Sequence, residues 1–152
     1  MAITSAVCTS FKVELLQGSH NFSTSGGDTF KIALFTSSAS LGAATTYYST
    51  SNEMTNTSGS AYTAGGAALT IASSSPTSSG TTAWVDFDNI SWSSASFTAN
   101  GCMIYNTTTG SGSGTTDSVI IVAFGGDKTV SSGTFTVQFP TPDASDAILR
   151  IA

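Results

Sequence analysis

Hydrophobic and polar positions follow two different rhythms along this chain, and the rhythm changes near residue 29. Between residues 6 and 17, Val7, Phe11 and Leu15 recur every fourth position with Leu16 beside them, while Lys12 and Gln17 fall elsewhere on the wheel. That spacing predicts one short helix over residues 6–17, with Gly18 as its stop because glycine tolerates the left-handed conformation that closes a helix. From residue 29 the period is two. Phe30, Ile32 and Leu34 alternate with Lys31, Ala33 and Phe35, as suits a strand with one strongly apolar face.

Further strands are predicted over residues 67–72, 83–90, 95–105, 119–124, 134–139 and 147–151. Within 83–90, alternation sets Trp84, Asp86 and Asp88 opposite to Val85, Phe87 and Asn89, so the inward face must change or bulge near Ile90. Residues 119–123 are continuously apolar, which points to a strand covered on both sides. Turn-forming clusters separate these runs: Ser25-Gly26-Gly27-Asp28, residues 73–80, residues 106–116, Gly125-Gly126-Asp127 and Ser131-Ser132-Gly133. Residues 37–60 carry few apolar side chains and are expected to form a long surface excursion. Residues 110–114, alternating Gly and Ser, read as a flexible tip.

With no helices available for parallel crossovers, the expected fold is all-β, a β-sandwich or jelly roll of about seven to eight strands with one short N-terminal helix. At 152 residues the whole chain, 1–152, is expected to form a single domain. The Ser/Thr-rich passages are interleaved with strands, so they read as the solvated faces and loops of a folded unit.

Composition sharpens this in one direction. About a third of the residues are Ser or Thr, while charged residues supply 9% against the about 25% usual for a globular domain, so hydroxyls take over the task of facing water. The net charge is −5, and the basic residues Lys12, Lys31, Lys128 and Arg150 are scattered. Without a basic stripe to release counterions, direct nucleic-acid binding is disfavoured, and an anionic membrane surface with it. No stretch approaches the roughly 20 apolar residues of a membrane-spanning helix, and the first residues lack the pattern of a secretory signal, which predicts no export by that route.

Candidate chemistry is sparse. The lone His20 has no recognisable nucleophile motif near it, since Gly110-Ser111-Gly112-Ser113-Gly114 places glycine where an elbow serine would sit. Cys8, His20 and Cys102 offer none of the close spacings of a zinc site. The two cysteines could pair only if the fold joined them, and reduced thiols are the expectation. Asp86, Asp88 and Asn89 offer oxygen ligands but lack the glycine and distal glutamate of a calcium loop, and alternation places both aspartates on one solvated face. Trp84 and Trp92 could stack on a sugar, although core packing accounts for them more simply. Gly125-Gly126-Asp127-Lys128 reads as a hairpin turn rather than a phosphate loop. The Asn-x-Ser/Thr triplets at Asn21, Asn56, Asn89 and Asn106 are expected by chance in so hydroxyl-rich a chain. No enzymatic activity, cofactor or metal is predicted.

The run Ser10-Phe11-Lys12-Val13-Glu14-Leu15-Leu16-Gln17-Gly18-Ser19-His20-Asn21-Phe22, followed by Thr29-Phe30-Lys31-Ile32-Ala33-Leu34-Phe35-Thr36, resembles the opening of a family of small tailed-bacteriophage virion structural proteins. Tyr62-Thr63-Ala64-Gly65-Gly66, Phe97-Thr98-Ala99-Asn100-Gly101 with Ile104-Tyr105-Asn106, Lys128-Thr129-Val130-Ser131-Ser132-Gly133-Thr134-Phe135 and the closing Asp146-Ala147-Ile148-Leu149-Arg150-Ile151 are similar to the same family, so the resemblance spans nearly the whole chain. It implies a non-enzymatic capsid decoration or cement protein on the outer capsid surface. Its partners would be the major capsid protein and copies of itself in a homo-oligomer such as a trimer. The alternative within the resemblance is a tail or tail-fibre component that binds a host surface glycan. For the decoration role two groups could form the interface: Phe11, Leu15 and Leu16, which otherwise cover the open end of the sandwich, and Tyr47, Tyr48 and Met54 in the excursion; glycan binding would instead run through Trp84 or Trp92.

Overall fold

The computed structural model describes residues 1–55, 61–108 and 116–152. The Ser-Gly tip at 110–114, the triplet at Asn56 and the end of the 37–60 excursion lie outside the described residues. The chain forms β1 (Ala6–Val7), α1 (Thr9–Leu16), β2 (Phe30–Phe35), β3 (Ala67–Ala68), β4 (Thr77–Ser79), β5 (Thr82–Val85), β6 (Ile90–Asn106), β7 (Asp117–Val137) and β8 (Leu149–Ile151). The strands make two antiparallel sheets, one in the order β1-β7-β6-β2-β3 and the other β4-β5-β8. The all-β sandwich expected from the alternation is therefore the fold. A continuous apolar cluster fills it, including Phe30, Ile32 and Leu34 of β2, Ile104 of β6, Ile121 of β7, and Val85 and Leu149 from the smaller sheet.

The helix is shorter than its periodicity suggests. Ala6 and Val7 are extended and pair with Ile121 and Ile120, because β7 offers them ladder partners that a helical turn would forgo. Cys8 is still extended, at φ −64° and ψ 139°, and helical geometry begins after it. The stop is as expected: Gly18 has φ +76°, its N–H donates to the Leu15 carbonyl, and the Ser19 N–H donates to the Glu14 carbonyl, the paired bonds of a left-handed helix cap.

Several strand expectations need correction, and the one over residues 67–72 shrinks to β3, with Ile71 making only an isolated bridge to Phe87. Residues 83–90 do not form one strand. β5 ends at Val85, the chain crosses from the small sheet to the large one, and β6 starts at Ile90. Asp86 at the crossing is fully buried rather than on a solvated face, and only Asp88 is exposed. The Asp86 carboxylate accepts the Phe87 and Ile148 N–H groups at 2.8 and 3.2 Å, and its backbone engages Ser75 and Ala72, so one aspartate ties three segments together.

Residues 119–124 and 134–139 are likewise not separate strands around a Gly125-Gly126-Asp127 turn. They belong to β7, which runs for 21 residues beside the 17 of β6. The excess residues are taken up in bulges. Between the pairs Gly101↔Ala123 and Ala99↔Lys128 the glycines loop out at φ +73° and +134°, and Asn100 donates to Asp127 at 2.8 Å across the gap. The chain does not reverse there because β6 continues unbroken opposite. Ser131-Ser132-Gly133 is a second bulge, with Ser132 at φ 49° and its N–H on Ser96 Oγ.

The 37–60 excursion is fastened to the sandwich, not loose upon it. Leu41, Tyr47 and Glu53 form bridges to Ile3, Asp117 and Phe35. Glu53 is buried and accepts the Tyr62 hydroxyl at 2.5 Å, the Tyr48 hydroxyl at 2.6 Å and the Gly65 N–H at 2.8 Å. A buried carboxylate with three donors is a satisfied one, and here it anchors the excursion to the loop before β3.

Candidate interface

The surface feature that stands out begins at α1. Phe11 and Glu14 face inward, and the remaining apolar residues of the helix face out: Leu16 is 91% exposed and Leu15 half-buried. Glu14 is held by His20, whose Nε2 lies 2.8 Å from the carboxylate, while His20 Nδ1 lies 2.9 Å from Asn106 Nδ2. Asn106 also donates to Asp28, and its carbonyl accepts the Thr108 N–H. This Glu-His-Asn-Asp chain locks the helix to the end of β6 and so sets the direction in which Leu15 and Leu16 project. Both ring nitrogens of His20 are occupied, which leaves it no lone pair for abstracting a proton from a substrate.

Beside α1 lies the last strand. Leu15, Leu16, Leu149 and Ile151 wall a cavity of about 490 Å³, with Lys12 and Arg150 at its rim. Ile151 is 59% exposed. A narrower apolar cavity of about 130 Å³ shares Leu15, Leu149 and Ile151 and continues the groove to Phe22, Pro76 and Trp84. On the other side Ala43 also lines a third hollow of about 710 Å³, whose wall includes Tyr47. The three form one surface along α1, β8 and the start of the excursion.

Of the residues singled out in the sequence, Leu15 and Leu16 share the cavity beside β8, and Tyr47 lines the neighbouring hollow that shares Ala43 with it. Phe11 is fully buried and Met54 is 3% exposed, so neither is available to a partner; each packs into the core beneath its segment. Tyr48 is also turned inward, stacked on Tyr105 at 4.4 Å and bonded to Glu53. Burial and the neighbouring Glu53 push the Tyr105 hydroxyl up to about 12, and Tyr48 and Tyr62 are raised for the same reasons. Trp84 and Trp92, 8% and 5% exposed, offer no ring face to a sugar.

Lys12, Arg150 and Ile151, which line the same cavity, were not legible as its residues. Only the return of the chain end to the side of the helix assembles them, and a three-residue strand carries no pattern that announces its neighbours.

Among the described residues no group of three or more His, Cys, Asp or Glu side chains could hold a metal ion. Cys8 and Cys102 are buried free thiols. Burial raises both, Cys102 to about 12, so neither is a thiolate near neutral pH. No described helix is long and apolar enough to cross a membrane. In comparisons with known proteins, no family model, no curated protein and no solved structure matches the chain.

Proposed function

We propose that this protein is a bacteriophage virion structural protein that decorates the outer capsid surface and cements the shell, bound to the major capsid protein and to copies of itself. The reading rests on the stretches that resemble small phage virion proteins. The observation that carries it furthest in the structure is the apolar surface of Leu15, Leu16 and Ile151 in a chain whose polar residues are mostly uncharged hydroxyls. Hydroxyls bond across an interface without the desolvation cost of ions, which runs to several kcal/mol per buried charge, and weak contacts repeated over a lattice add up through avidity. The burial of both tryptophans favours this reading over a tail component that would stack a glycan on them.

The test is a density map of an intact particle whose genome encodes this chain. The expected result is the chain in a symmetric set on the outer shell, with α1 and β8 toward the capsid protein. Its placement in the tail, or its absence from the particle, overturns the reading.

A further inference from the structure

Both sheets of the sandwich end beside the same groove. β1 is the outermost strand of the larger sheet and β8 that of the smaller, and Ala6, Val7, Leu149, Arg150 and Ile151 line one cavity between them. The free side of an outermost strand carries a row of backbone donors and acceptors, which is the template on which a further strand adds. The seam is thus open along the β8 edge, with α1 and the two residues of β1 as its further walls, the chain on either side of β1 being already bonded to Leu41 and Ala43.

The side chains say what kind of strand fits. The walls are apolar, so the incoming chain must bring apolar side chains on one face. At the rim stand Lys12 and Arg150, two of the four basic residues of a chain with net charge −5, and no Asp or Glu lines either cavity of the groove. Cations gathered at one groove of an acidic protein are complementary to carboxylates. Trp84, only 8% exposed, closes the narrow end of the groove with the apolar part of its ring.

From these features we propose that the groove accepts an extended segment of the capsid protein, with apolar residues alternating with Asp or Glu, as an added strand beside β8. The identity of the partner rests on the shell-binding function proposed above; the strand-accepting geometry does not. A second copy of this chain fits less well, because a two-fold contact through β8 would set each Arg150 against its twin.

The experiment uses the full chain and two fluorescein-labelled peptides, one alternating Val and Glu and the other Val and Lys. Anisotropy measures affinity, and hydrogen exchange reads the backbone amides of residues 6–7 and 149–151. The Val/Glu peptide is expected to bind and protect those amides. The Val/Lys peptide is expected to bind about tenfold more weakly or worse, and K12E/R150E to reverse the preference. Should K12E/R150E fail to fold, judged by circular dichroism and melting, K12Q/R150Q takes its place and is expected to abolish the preference. Absence of Val/Glu binding, equal affinity for both peptides, or binding without protection at 149–151 overturns the proposal. So does a concentration-dependent dimer in sedimentation velocity that the double variant dissolves, since that assigns the groove to a second copy.

Co-sedimentation with stripped shells separates the two readings. If wild type and K12E/R150E bind shells equally, the groove proposal falls and the shell reading stands. If wild type binds the Val/Glu peptide but no shell, the shell reading and the named partner fall, and the strand-accepting groove stands.

Discussion

Asp86 shows how much one residue can decide. It sits where the chain leaves one sheet for the other and supplies acceptors to two backbone N–H groups from different segments. Asp86→Ala leaves both donors buried without partners, and the expected loss is about 2–3 kcal/mol in urea unfolding. Burial raises its carboxyl above the usual 3.8. A raised acid binds its proton more tightly in the folded than in the unfolded chain, so its contribution is fully present below the unfolded value and fades as pH rises through the folded one. The stability advantage of wild type over Asp86→Asn should therefore be largest near pH 3 and shrink toward neutrality, read as urea midpoints across that range; an advantage that grows instead refutes the raised carboxyl.

Tyr105 carries the same sign at the other end of the scale. Its hydroxyl, held up to about 12, donates to the Gly65 carbonyl at 2.7 Å. Tyr105→Phe should cost about 1 kcal/mol at neutral pH. Because the neutral phenol is the form the fold prefers, that gap should close as pH rises from about 10 to about 12, which alkaline denaturation curves of the two proteins would show.

At the scale of elements, backbone conformation and close approach do what side-chain pattern does elsewhere. Gly66 precedes β3 with φ +72°, and a Cβ there would lie 1.7 Å from the Ile32 carbonyl oxygen of β2. Gly18 has a similar φ, +76°, but open space around it. Gly66→Ala should cost about 3 kcal/mol or more, through strain and a backbone collision, and Gly18→Ala only about 1 kcal/mol. Thermal unfolding of the pair separates the clash from the φ penalty, and equal losses would mean the approach of β2 and β3 is looser than drawn. The β6–β7 ladder makes the complementary point. Gly125-Gly126-Asp127 has the composition of a hairpin turn, yet it is a bulge because β6 provides partners on both sides of it. Turn chemistry reports that the backbone departs from a regular strand, and only the opposite strand decides whether the chain then reverses or rejoins.

For the whole molecule, the outward direction of α1 predicts a separation of stability from binding. Leu16→Ser should leave the melting behaviour within about 0.5 kcal/mol of wild type, since the side chain is 91% exposed. Under the proposed decoration function it should nevertheless weaken attachment to capsid shells. Phe11→Ala, on the opposite, fully buried side of the same helix, should cost about 3–5 kcal/mol. Melting curves together with shell co-sedimentation test both, and a Leu16→Ser protein that binds shells unchanged removes this surface from the contact.

Alternation and composition alone determined the all-β class, the short helix with its glycine stop and the identity of β2, because those follow from local periodicity and from the gain in burying large apolar side chains. The same local signals placed Leu16 and Tyr47 among the candidates but could not tell them from Phe11 and Met54, which are equally apolar and lie inside. Tertiary structure alone decided that separation, the burial of Asp86, the length of β7 and the meeting of α1 with β8. Each depends on which distant segment lies opposite, and a residue's neighbours across a sheet or groove leave no periodic trace in its own stretch of chain.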